Sequence, residues 1–114
     1  MKLKECMEKL NNIEYCVELV NQNECSQEIN DIYIGDLLSH VMANGKDGAL
    51  WLTVQRHLNV IAVAELNDFA AIIFVEGVMP ETDTIQKANE LSIPLLTSKL
   101  DAYHLVRNFV SLGL

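Results

Sequence analysis

The chain has no uninterrupted apolar run longer than the seven residues Phe69 to Val75. A bilayer crossing needs roughly 18 to 20 apolar residues, so no membrane span is expected. Lys2 and Lys4 imitate the start of a secretory leader, yet Glu5 and Glu8 stand where its apolar stretch would follow, so export is not expected. Basic residues are scarce as well, with eight Lys and Arg against sixteen Asp and Glu and a formal charge of −8. That balance repels phosphate backbones, so nucleic acid is not among the expected partners. Cysteines number only three, Cys6, Cys16 and Cys25, with none of the two-residue spacings that zinc and dithiol sites use. They are read as free, reduced thiols in a cytoplasmic protein, because an odd thiol is a liability in an oxidising compartment. There is no internal repeat, no low-complexity segment and no Gly-x-x-x-x-Gly-Lys-Ser/Thr phosphate loop.

What is present is enough apolar material for one core. Half of the 114 residues are hydrophobic and 21% are charged, which fits a single folded domain spanning residues 1–114 and does not fit disorder. Seven of the acids lie within the first 31 residues against three lysines. This acidic quarter reads as a solvated face or as a surface for a basic partner.

Leu3, Cys6, Met7 and Leu10 recur at helical spacing, predicting a short opening helix that ends near Asn11-Asn12. Ile13, Tyr15, Val17 and Leu19 alternate with polar residues, as on a half-buried strand, and residues 21–24 form a polar loop. Ile29 to Ile34 reads as a strand, followed by a helix that Asp36 would cap and that carries Leu37, Leu38, Val41 and Met42. Asn44-Gly45 would close that helix in the left-handed conformation, before a strand from Ala49 to Val54. Leu58 to Leu66 mixes strand and helix formers; a buried helix is preferred over a hairpin with the clear strand Ala70 to Val75. Pro80, Glu81 and Asp83 suit a helix start, with Ile85, Ala88 and Leu91 as its buried stripe. A strand from Ile93 to Thr97 follows. Ala102, Leu105, Val106, Phe109 and Val110 then mark a terminal helix that stops at Gly113.

Strand and helix thus alternate from Ile29 onward, which predicts an α/β fold, a three-layer α/β/α domain with a mostly parallel sheet. In such folds ligands sit beyond the carboxyl ends of the strands. That rule nominates Gly35, Asp36, Thr53, Gln55, Arg56, His57, Asn59, Glu76, Gly77, Thr97 and Ser98. Arg56, His57 and Asn59 could together bind an anion; equally, His57 or Asn59 could only cap the following helix, with Gln55 satisfying loop backbone. His40, His57 and His104 fall on separate elements, so neither a metal nor another cofactor is expected. No matched catalytic set is visible, and the chain is read as a non-enzyme. A small hydrolase or transferase using His57 with Asp36 is the weakest alternative.

The runs Tyr33-Ile34-Gly35-Asp36-Leu37-Leu38-Ser39-His40-Val41-Met42-Ala43 and Leu50 to Ala64, with Ile85 to Thr97 ending Ile93-Pro94-Leu95-Leu96-Thr97, resemble DRTGG-domain proteins of the stand-alone kind. The resemblance covers roughly residues 29–114. It implies a three-layer α/β fold related to the N-terminal domain of HPr kinase/phosphorylase and to the UDP-binding domain of Mur ligases. It also favours a helix for Leu58 to Leu66. Where the family carries Asp-Arg-Thr-Gly-Gly, this chain has Gln55-Arg56-His57-Leu58-Asn59. Family members act as regulatory modules fused to enzymes or as small free proteins. The implied role is a ligand-sensing regulatory domain acting through a partner protein, or alternatively an interaction subunit without a ligand, accessory to a redox or iron-hydrogenase system. The expected partners are a second copy in a homodimer, an anionic small molecule such as a nucleotide, and the regulated protein. Ile13 to Val20 or the terminal helix would supply the dimer contact.

Overall fold

The structure is a computed structural model that describes residues 1–10, 17–21 and 25–114. Its centre is a five-stranded sheet of β1 (Glu18–Leu19), β2 (Asp31–Ile34), β3 (Ala49–Thr53), β4 (Ala71–Phe74) and β5 (Leu95–Thr97), in the order β1-β5-β4-β3-β2. β2 to β5 are mutually parallel and β1 runs antiparallel beside β5, so the mostly parallel α/β sheet is as expected. β3 and β4 are buried at every position. Only strands covered on both faces can be apolar throughout, which is why these two lack polar alternation.

Alternate side chains of the strands build two cores, as the two-residue repeat requires. On one face Ala49, Trp51, Ile72, Phe74 and Leu95 meet α2 (Leu38–Asn44), α3 (Asn59–Leu66) and α4 (Thr82–Glu90). On the other, Leu50, Leu52, Ala71, Ile73 and Leu96 meet α1 (Leu3–Leu10) and α5 (Ala102–Ser111). The three connecting helices therefore share one face. After β2 the chain returns to the face of α1 only beyond β5, so the loops leaving β4 and β5 diverge.

Several local expectations change. The disputed segment is the helix α3, with Val60, Ile61, Val63 and Ala64 buried; Asp68, at φ 51°, then turns the chain into the next strand. Asp36 does not cap α2: the helix begins at Leu38, after Leu37, which makes no side-chain cap. Gly45 is not left-handed but extended, at φ −66° and ψ 147°. Glycine is needed there for space, because a Cβ would lie 2.3 Å from Phe69 Cζ. The left-handed position is Gly48, at φ 77°.

Pro80 precedes the Glu81 N-cap of α4 instead of joining its first turn, and the buried α4 residues are Thr84 and Ala88; Leu91 is exposed. In α5 only Leu105 and Phe109 are fully buried, whereas Val110 is 59% exposed. Asp101 caps α5 by accepting from the His104 backbone N–H at 2.8 Å. That bond first, and the His104 ring second, hold its carboxyl below the usual range. The strand expected from Ile13 to Leu19 is represented by β1; Ile13 and Tyr15, like the expected helix end at Asn11-Asn12, lie outside the described residues.

Cys6 and Cys25 are buried against the α1–α5 face. Burial pushes both thiols above their ordinary range. The raised value stabilises the fold below the ordinary thiol range, and that contribution is lost as pH climbs through the folded-state value. Both thiols are accordingly expected to resist an aromatic disulfide reagent at pH 8 in the native protein and to react fully once it is unfolded. Rapid native labelling of either one, read by mass spectrometry, would contradict this packing.

Candidate functional site

The carboxyl ends of β2 to β5 carry all of the nominated residues, but as three separate knots. The first joins the exits of β2 and β3. Asp36 Oδ1 accepts from the Thr53 hydroxyl at 2.8 Å and from the Val54 N–H at 2.9 Å. Gln55 donates its amide to the Asp36 carbonyl at 2.8 Å, and its own N–H reaches Thr53 Oγ1 at 3.1 Å. Trp51 Nε1 donates to the Gly35 carbonyl at 2.9 Å. Asp36 is thus a tie between strands. It stands two residues past β2, where its short side chain can satisfy donors left when β3 ends. Asp36→Ala is expected to cost about 2 kcal/mol, because the buried Thr53 hydroxyl loses its acceptor. Asp36→Asn keeps one carbonyl oxygen and should recover most of that in urea unfolding; equal losses for both variants would sink the assignment.

The second knot joins the β3 exit to the start of α4. Arg56 donates Nε to the Met79 carbonyl at 2.9 Å, while its own carbonyl accepts from the Glu81 N–H at 3.2 Å and from the Thr84 hydroxyl at 2.9 Å. His57 pairs through Nδ1 with Glu81 Oε1. One carboxylate therefore orients the imidazole, and one carbonyl orients the guanidinium. The remaining four guanidinium N–H groups, His57 Nε2 and the Asn59 amide have no protein partner among the described residues. Arg56, His57 and Asn59 are all exposed, and α3 receives no side-chain cap, which removes the capping role for His57 and Asn59.

The third knot closes the divergent exits of β4 and β5. Glu76 and Gly77 are consecutively left-handed, at φ 59° and 76°, and their N–H groups bond the carbonyls of Leu100 and Ser98. The Thr97 hydroxyl donates to the Val78 carbonyl at 3.0 Å. These donors are consumed by the fold, so Glu76, Gly77 and Thr97 stitch two loops together and leave no backbone N–H cradle open. The structure sets Arg56 and His57 in the loop after β3 and Asn59 at the first position of α3, facing the α3–α4 groove. It holds Gly35, Asp36, Thr53 and Gln55 in the knot beside them.

Sequence reading passed over two members of this edge. Glu81 looked like a helix-start carboxylate, and Met79 contributes a carbonyl that carries no residue-type signal. Half of the ten exposed large hydrophobics among the described residues also gather here: Ile34, Leu37, Val54, Leu58 and Met79. Among the described residues, no group of three or more His, Cys, Asp or Glu side chains could hold a metal ion, and no helix is long and apolar enough to cross a membrane.

No family model and no curated protein matches the chain. The fold does have a solved counterpart. It occurs in the crystal structure of the CBS and DRTGG domains of the regulatory region of Clostridium perfringens pyrophosphatase, complexed with its activator diadenosine tetraphosphate. The TM-score is 0.67 at 16% identity, over 96% of this chain and 46% of that one. The likeness establishes a related fold. This chain spans less than half the length of that structure.

Proposed function

We propose that this domain is a non-catalytic regulatory module that binds an anionic, nucleotide-type ligand at the carboxyl edge of its sheet and passes the bound state to a partner protein. The observation that carries this reading is the pair Arg56 and His57, two exposed cationic or ionisable side chains oriented by Met79 and Glu81, with donors unused by the fold. A guanidinium with four open N–H groups matches phosphate oxygens, and an imidazole and an amide beside it add complementary polar contacts. The net charge of −8 opposes an anion only weakly at this spot, since exposed charges beyond about 8 Å are largely screened at physiological salt. Support also comes from the structural neighbour, a regulatory region that holds a nucleotide activator. The exposed Ile34, Leu37 and Val54 beside the site suit the regulated partner. The free thiol Cys6 fits a cytoplasmic setting.

Titration of the 15N-labelled protein with ATP and with diadenosine tetraphosphate tests the site. Amide shifts should concentrate at Arg56, His57, Leu58 and Asn59, while 31P spectra of the same samples show the nucleotide intact. Shifts centred on α1 and α5 would move the site to the opposite face of the sheet. Turnover of the nucleotide would remove the non-catalytic part of the reading.

A further inference from the structure

We propose that the groove between α3 and α4 is the seat of a homodimer, occupied by the same groove of a second copy. α3 packs Val60, Val63 and Ala64 into the core and leaves Leu58, Ala62, Glu65 and Leu66 on its outer side. Leu66 is 64% exposed, an apolar side chain in open solvent. Together with Asn59, Ile61 and, across from them, Lys87 of α4 and its C-cap Leu91, these residues line a groove of about 710 Å³ that reaches the edge of the proposed ligand site at Asn59. The surface is apolar at its centre and charged at two rims, Glu65 on α3 and Lys87 on α4. Lys87 has only an exposed ion pair with Glu90 of its own helix, at 3.2 Å.

Charge placement selects a second copy as the occupant. β3, β4 and β5 are parallel, so the helices that return the chain between them run side by side in the same direction. A two-fold axis laid along the groove sets α3 of each copy over α4 of the other. Glu65 of one copy then faces Lys87 of the second, and symmetry repeats the pair. The leucines close against each other between the two pairs. Helices of eight and nine residues are only about 12–14 Å long, so each copy buries less than the roughly 800 Å² of a standard interface. The dimer is therefore dissociable and concentration-dependent.

Sedimentation velocity on the whole chain decides the matter, using wild type, Glu65→Lys, Lys87→Glu, the double reversal and Leu66→Gln. Wild type should move from monomer mass towards twice that mass as concentration rises. Each single reversal should weaken dimerisation roughly tenfold or more, because symmetry counts every like-charge contact twice. The double reversal should return close to wild type, although it also lacks the Lys87–Glu90 pair, so recovery isolates the contact between copies. Leu66→Gln should weaken the dimer with an unchanged melting temperature, since the side chain is exposed in the monomer. A wild type that stays monomeric at the highest workable concentration overturns the proposal. So does a dimer indifferent to the reversals, or a double variant as weak as the singles.

Discussion

Trp51→Ala is expected to remove about 3–5 kcal/mol of stability, a large share of the roughly 5–15 kcal/mol that holds a domain together. Trp51 is fully buried in the middle of β3, between Tyr33 of β2 and Ile72 of β4. Its ring meets Phe69 at 5.6 Å between centroids, and its Nε1–H is the donor that reaches the Gly35 carbonyl. Truncation therefore opens a cavity under α2 and α3 and at the same time releases the β2 exit. Trp51→Phe weighs the two effects differently, since it keeps a six-membered ring in the core but loses the donor and the five-membered part of the indole, at a cost of about 1–3 kcal/mol. Urea unfolding followed by far-ultraviolet circular dichroism reads both variants, which lack the tryptophan a fluorescence assay would use. A loss below about 1 kcal/mol for the alanine variant would mean that β3 is not the central, doubly covered strand.

The difference between those two substitutions also shows which parts of the fold were legible in the sequence. Ala71 to Phe74 is apolar without alternation, and only a strand covered on both faces can be so; the parallel centre of the sheet follows from that single fact. Leu105 and Phe109, one turn apart, fix the buried side of α5 in the same way. Contacts between distant residues left no such mark. β1 pairs with β5 across more than seventy positions, and the buried side chain of Asn21 locks that edge by donating to the Ile93 carbonyl and accepting from the Leu95 N–H, each at 2.9 Å. In sequence Asn21 was one polar residue of a loop.

The site was legible to the same degree. The rule that ligands gather beyond parallel strand ends singled out Arg56, His57 and Asn59, and they do stand at the carboxyl edge of the sheet, because the rule depends only on where strands stop. It could not tell available donors from consumed ones. Gly77 and Glu76 looked like open loop backbone, yet their N–H groups close the gap to Leu100 and Ser98. Asp36 has a good N-cap side chain, but Thr53 and Val54 offered it donors first. The fate of each polar group was settled by a neighbour on another strand, which local pattern does not contain.

The central claim, that an anionic nucleotide is held by Arg56 and its neighbours, has a large expected signature. A ligand present at one hundred times its dissociation constant stabilises the native state by about 2.7 kcal/mol, and in a domain of this size that is a melting shift of order 10 °C. The measurement is a thermal unfolding series with ATP, diadenosine tetraphosphate, UDP-sugars and inorganic phosphate. It compares wild type with Arg56→Ala, His57→Ala and Asn59→Ala at matched protein concentration. All three side chains are exposed, so each variant alone should melt close to wild type. The account predicts a shift of that size for at least one nucleotide on wild type, largely lost in Arg56→Ala and reduced in His57→Ala and Asn59→Ala. An undiminished shift in Arg56→Ala, or no shift of wild type with any of these anions, would contradict it.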